Sequence, residues 1–150
     1  MSSEIRRSEV CALLIVAACL IIAGCTTTPE TATVKITSPA NGATVETGDV
    51  TINAEVQNFN IVDKQGQAAV TGEGHVHFYM DVSPMPSAAG QPAIPADTST
   101  LWAHVSDDEY TFRNVSPGVH TFAVQLVNND HTPVVPAVSD TVTITVTTRG

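Results

Sequence analysis

The sequence predicts an all-β fold, an antiparallel sandwich of about seven short strands, and three observations carry that expectation. Apolar and polar residues alternate in short runs. Turn-forming pairs such as Asn41-Gly42 and Pro117-Gly118 separate the runs, and no stretch beyond the N-terminal segment sustains a helical period.

Taken in chain order, Val34 and Ile36 mark a first strand that stops at Ser38-Pro39 and the Asn41-Gly42 turn. Val50, Ile52, Ala54 and Val56 alternate through a second. Residues 75–82 form a third, residues 101–105 a short fourth, and residues 110–115 a fifth. Beyond the Ser116-Pro117-Gly118 turn, Phe122, Val124 and Leu126 share one face of a sixth, and Val142, Ile144 and Val146 mark a seventh. Residues 83–99 carry Pro84, Pro86, Pro92 and Pro95, which cannot hold a ladder, so this stretch is expected to be a long surface loop.

The run from Tyr110 through Ser116-Pro117-Gly118 to Phe122 resembles the strand-turn-strand corner of fibronectin type III and related immunoglobulin-like domains. The resemblance implies the broader sandwich group, because the paired cysteines of antibody domains are missing.

The domain occupies residues 34–150, about 117 residues, enough for one core. Residues 1–24 read as a targeting segment: Arg6 and Arg7 precede an apolar run over residues 10–22 that is short for a bilayer span. The run ends in Ile22-Ala23-Gly24-Cys25, which resembles the lipobox of prokaryotic lipoproteins, where the cysteine is acylated and becomes the first mature residue. The resemblance implies a lipid such as palmitate on Cys25 and a place in the cell envelope, at the outer membrane or the outer face of the plasma membrane. An uncleaved N-terminal anchor would change the tether and keep the compartment. Residues 25–33 are Thr-rich with Pro29 and read as a flexible stalk.

With Cys11 and Cys19 in the signal segment and Cys25 under lipid, the folded domain has neither a disulfide framework nor a thiolate ligand. Removal of the signal takes two acidic and two basic residues, so the formal charge of -9 stays with the mature chain. Such acidity argues against nucleic acid and suits a soluble exported domain.

Four of the five histidines are expected to gather. With the top defined as the end where the second strand finishes, the third strand starts there, bringing His75 and His77. The fourth climbs back with His104, and the loop after the sixth carries His131 over the same end. Along a strand, residues two apart share a face and stand roughly 6.5 Å apart, so His75 and His77 can lean onto one ion at about 2.0–2.1 Å per bond. His75, His77, Tyr79 and Asp81 share one face of the strand, with Val76, Phe78, Met80 and Val82 on the core side. Gly72 and Gly74 let the backbone bend close to the site. Glu73 and Asp130 are candidates to orient a ring through its free nitrogen or to ligate directly.

Each histidine also has a plain structural reading. His75 and His77 fit a solvated outer face. His104 has an ambiguous facing, because either Trp102 or Leu101, Ala103 and Val105 supply the core side, and His131 fits a turn bonded to backbone. His120, in phase with Phe122 and left at the opposite end, is expected to tie down the turn, and it stands as an alternative ligand only because of the motif it sits in.

Gly74-His75-Val76-His77-Phe78-Tyr79-Met80-Asp81, Pro117-Gly118-Val119-His120-Thr121 and Asp130-His131-Thr132-Pro133 together resemble an uncharacterised family of secreted prokaryotic domains, over roughly residues 70–146. The resemblance implies the fold and the weight of these motifs, and no reaction.

An imidazole-only donor set suits Cu(II) or Zn(II), with copper favoured by the affinity order, while a blue-copper centre requires a thiolate. The expected function is capture, buffering or handover of a copper or zinc ion, with the membrane as partner through Cys25, an envelope protein as a possible second partner, and no nucleic acid. The alternative is a non-catalytic surface interaction module presenting its proline-rich loop. A zinc hydrolase needs a base beside an open metal position, and only Glu73 offers one; no Ser-His-Asp or paired-carboxylate arrangement is evident, so no enzymatic activity is expected. Acidification near pH 6.5, the ordinary imidazole range, is expected to release the ion.

Overall fold

The computed structural model describes residues 30–84, 91–94 and 100–150; the signal segment, Cys25, Pro86 and Pro95 lie outside them. Among the described residues every regular element is a strand, in the order β1 (Thr33–Ser38), β2 (Thr44–Glu46), β3 (Gly48–Gln57), β4 (Asn60–Ile61), β5 (Glu73–Met80), β6 (Trp102–Val105), β7 (Glu109–Val115), β8 (Gly118–Asn128) and β9 (Ser139–Thr147). They form two sheets, β1-β3-β7 and β2-β9-β8-β5-β4, with β6 paired to β5 beside β4. The all-β sandwich is the fold the sequence predicts.

Alternation explains the inner faces. Val34 and Ile36 on β1, Val50, Ile52 and Ala54 on β3, and Val142, Ile144 and Val146 on β9 are buried, and their neighbours face out. They meet Val76 and Phe78 of β5 and Phe122, Val124 and Leu126 of β8 in one core.

Two strands escape the alternation. On β5 every residue from Gly74 to Tyr79 is buried, and on β8 every residue from Phe122 to Val127. These strands are central neighbours, paired antiparallel from Gly74↔Asn128 to Met80↔Phe122. A strand buried on both faces needs cover on the side away from the core. Here residues 91–94, whose Ala93 is fully buried, and the turn after β8 supply it: Ala93 N–H donates to His131 O at 2.6 Å.

The sequence expectations need four corrections. Nine strands are present among the described residues, because β2 and β4 add short parallel pairings to β9 and β5. The third strand stops at Met80: Asp81 turns away at φ 58, and its Oδ1 accepts from Thr121 N–H, so Asp81 and Val82 leave the ladder. β6 begins at Trp102, so Leu101 precedes it. β1 starts at Thr33, one residue inside the expected stalk.

Candidate metal centre

β5 carries His75, His77 and Tyr79 on the face away from the core, and the register sets their neighbours. His77 lies directly opposite His104 on β6 and opposite Gln125 on β8, while Tyr79 lies opposite Trp102. His104 therefore shares its face with Trp102, and the ambiguity left by the sequence is resolved. The fourth ring comes from the turn joining β8 to β9. His131 sits there at φ 63, its N–H donating to Asn128 O, while Asn128 N–H donates to Thr132 O.

The four rings converge. His75 Nε2 lies 3.1 Å from His77 Nε2 and 3.2 Å from His131 Nδ1, and one nitrogen from each of His75, His77, His104 and His131 falls within 4.8 Å of all the others. Two ligands on a tetrahedral ion with bonds of about 2.0–2.1 Å stand about 3.3 Å apart, so His75 Nε2 already stands at that spacing from the nitrogens of His77 and His131. Hydrogen bonding alone serves the trio poorly, since His75 Nε2 has one proton or one lone pair and faces two ring nitrogens. A cation satisfies all three lone pairs together.

The convergence is on the outer face of the larger sheet, toward the end where β5 starts and β8 finishes, with residues 91–94 against it. His75 and His77 are completely buried, so the solvated-face reading of this pair does not hold. His131 is half-buried and His104 exposed, which leaves one side of the cluster open to water.

Burial, followed by the neighbouring rings, lowers the pKa of His75 to about 4 and that of His77 to about 3, and His131 is lowered for the same reasons. Both inner rings are thus neutral donors well below pH 6.5, and proton competition for them shifts below the ordinary imidazole range. The same shifts set the stability of the metal-free domain. Unfolded histidines take protons near pH 6.5 that the folded rings refuse, so the unfolded state binds more protons and stability falls as pH drops from about 6.5 toward 3. Thermal melts of the metal-free protein at stepped pH check this; a melting temperature level across that window would contradict it.

Behind the donors, His77 Nδ1 lies 3.2 Å from Tyr79 Oη, which in turn lies 3.4 Å from the Ala93 carbonyl oxygen. Tyr79 Oη donates to Gln125 Oε1 at 2.8 Å. With Nδ1 carrying the proton, Nε2 is left bare toward the cluster. His75 Nδ1 is buried without a hydrogen-bond partner among the described residues, so cross-strand packing holds that ring.

Glu73, Asp130 and His120 do not join the cluster. Glu73 Oε1 accepts from Lys64 Nζ and Asn129 Nδ2, which ties the β5 start to neighbouring loops. Asp130 Oδ1 accepts from Thr132 N–H and Oγ1–H, shaping the turn that presents His131. Neither carboxylate takes the orienting role expected from the sequence. Tyr79 takes it instead, backed by Ala93. Tyr79 was legible by phase with the two histidines; Ala93 gives no signal in sequence.

His120 fixes the β7–β8 corner, as its structural reading holds. Nδ1 lies 2.7 Å from Asp81 Oδ2 and Nε2 lies 2.8 Å from Ser116 O. Burial pulls its pKa down, but the bonds to Asp81 and Ser116 outweigh that and hold it raised. A raised folded-state value gives stability that is fully present below the unfolded pKa and is lost as pH rises through the folded one. His120→Ala is therefore expected to cost more stability at about pH 6 than at about pH 9, read from denaturant unfolding at both. Equal losses would contradict the assignment.

A family model described as "Domain of unknown function (DUF4399)" matches residues 52–147. No curated protein matches the chain. Among solved structures, the crystal structure of an engineered protein, a Northeast Structural Genomics Consortium target, is similar at 16% identity and a TM-score of 0.44. The match covers 80% of this chain and 21% of that one, so the chain spans about a fifth of that protein's length.

Proposed function

The chain belongs to the DUF4399 family, whose description brings no activity with it, and from its own residues we propose that it is an extracytoplasmic, lipid-anchored domain that binds one copper or zinc ion for capture, buffering or handover. The observation that carries the reading is the set of four imidazoles with donor atoms within 4.8 Å, two of them fully buried. Burying two imidazoles on the outer face of a sheet, with three ring nitrogens crowded together and His75 Nδ1 unpartnered among the described residues, costs stability that an alanine or valine pair would not. A bound ion offsets that cost. The donor chemistry favours Cu(II) over Zn(II) by intrinsic affinity, and neither a thiolate nor a carboxylate stands among the four. The N-terminal pattern ending at Cys25 supports the lipid anchor and the envelope location, and the acidity of the chain fits attraction of cations. In this reading the domain catalyses no reaction of its own.

The test is thermal unfolding with and without added Zn(II) or Cu(II). An ion at roughly a hundred times its Kd stabilises the native state by about 2.7 kcal/mol, which for a domain of this size raises Tm by roughly 10 °C. Melts unchanged by either ion would refute the reading.

The second reading, a surface interaction module, draws on a cleft of about 500 Å³ beside the His131 turn, with Phe59 and Pro133 in its walls and exposed Val70 and Val135 at its edge.

A further inference from the structure

The four histidines are not equivalent, and we propose that His104 is an exchangeable ligand through which the ion enters and leaves, while His75, His77 and His131 form the fixed seat. This rests on the metal-binding reading above and assigns a path within that site.

Three observations separate the two classes. First, the seat is closed at the back: His75 and His77 are fully buried on a central strand hydrogen-bonded on both sides, and His77 is backed by Tyr79 Oη, which itself lies 3.4 Å from the Ala93 carbonyl oxygen. Second, the seat is already at ligand spacing, with His75 Nε2 at 3.1 and 3.2 Å from the nitrogens of His77 and His131. His131 in turn is tied through its own carbonyl to Ala93 N–H at 2.6 Å, so residues 91–94 link His131 to the Tyr79 hydroxyl behind His77. Third, His104 is exposed on a four-residue strand that, among the described residues, pairs with β5 alone. Its ring stacks on His131 at a centroid distance of 5.2 Å but stands 5.9 Å from His75 and 6.0 Å from His77, the two buried rings, which are 5.0 Å from each other.

The widest donor separation, 4.8 Å, exceeds the roughly 3.3 Å of a tetrahedral pair, so one ring must move inward on binding. His104, with solvent beside it, is the ring with the most room to do so. Trp102 lies on the same strand face, its ring 5.7 Å from His104 and 5.4 Å from His77, and walls the mouth on one side.

The exchange step balances simply. As an incoming imidazole forms its nitrogen–metal bond, the His104 nitrogen–metal bond breaks, and one neutral donor replaces another with no change in proton count or metal charge. The acceptor this fits is a protein or peptide presenting an imidazole or another neutral nitrogen donor at its surface and approaching from the β6 side, where His104 is exposed. An ion seated on three ligands with one labile position is held firmly yet released by displacement.

The experiment loads the purified protein with Cu(II) and follows binding stoichiometry, the visible d–d spectrum and the rate of transfer to a chelator in excess. His104→Ala is expected to keep one ion per chain, to lose affinity by no more than about a hundredfold, the range of groups that tune a site, and to transfer the ion faster. Added free imidazole is expected to return its spectrum to that of the unsubstituted protein and to slow transfer again. His77→Ala is expected to show no such rescue, because its position is closed to solvent.

If His104→Ala binds no copper where the unsubstituted protein is saturated, His104 is a fixed ligand and the assignment is overturned. If affinity, spectrum and transfer rate are all unchanged, His104 is no ligand and the assignment is again overturned. Absence of copper and zinc binding by the unsubstituted protein would instead sink the metal-binding reading itself.

Discussion

Replacing His75 and His77 together by alanine is expected to abolish binding of Cu(II) and Zn(II), with affinity lost by roughly a thousandfold or more. Four-ligand structural zinc sites hold their ion with about 10–16 kcal/mol, so two of four donors represent several kcal/mol, and each 1.4 kcal/mol is about tenfold. The geometry makes these two the least replaceable. Their nitrogens stand 3.1 Å apart and both are sealed from water, so no solvent molecule takes over the position easily. The remaining pair, His104 and His131, is an ordinary surface chelate. The double variant should fold, since it exchanges two buried imidazoles, one with an unpartnered Nδ1, for methyl groups on strands held by their ladders. Equilibrium dialysis gives the affinity, and far-ultraviolet dichroism confirms that the β-structure persists. Stoichiometric, tight binding by the folded double variant would show that the ion sits elsewhere.

Gly74→Ala is expected to destabilise the protein by about 3 kcal/mol, at the upper end of overpacking, and to lower Tm by roughly 10–20 °C. A Cβ built at Gly74 falls 2.0 Å from the Val127 carbonyl oxygen and 2.9 Å from Phe59 Cζ. The ring of Phe59 can turn aside. The Val127 oxygen is backbone of β8, and moving it parts β5 from β8 beside His75, which pairs with Val127. The same substitution should therefore weaken metal binding without touching a ligand. The sequence reading took Gly72 and Gly74 as freedom to bend; the structure separates them. Gly72 turns at φ 80 with open space around it, and Gly74 is a close approach of two strands. A melting temperature within a few degrees of the unsubstituted protein would refute the tight-contact account.

These two sites also show where sequence reading works in this fold. Strict alternation on β3 and β9 is visible because their outer faces meet water. On β5 and β8 the same period is present, but the residues on the outer phase, His75, His77, Tyr79 and Gln125, are buried too. Nothing in sequence announces that residues 91–94 settle over them, because a proline-rich loop has no periodicity to follow. β2 and β4 are three and two residues long and pair in parallel, β2 with the distant β9 and β4 with the next strand β5, so they leave too few residues for a pattern. The histidine cluster was legible from the connection order, which finds the end, and from the strand period, which finds the face; what the sequence left open was the facing of His104, which the register, His77 opposite His104, decides. Glu73 and Asp130 were chosen for proximity along the chain, and their oxygens are engaged by Lys64, Asn129 and Thr132 instead.

The claim beneath all of this is that four imidazoles on the outer face of the larger sheet hold one ion. Elemental analysis of the protein purified without a histidine tag, followed by equilibration with equimolar Cu(II) and Zn(II), tests it most directly. The account predicts one ion per chain with copper in the majority. A chain that remains free of both metals after equilibration would contradict it.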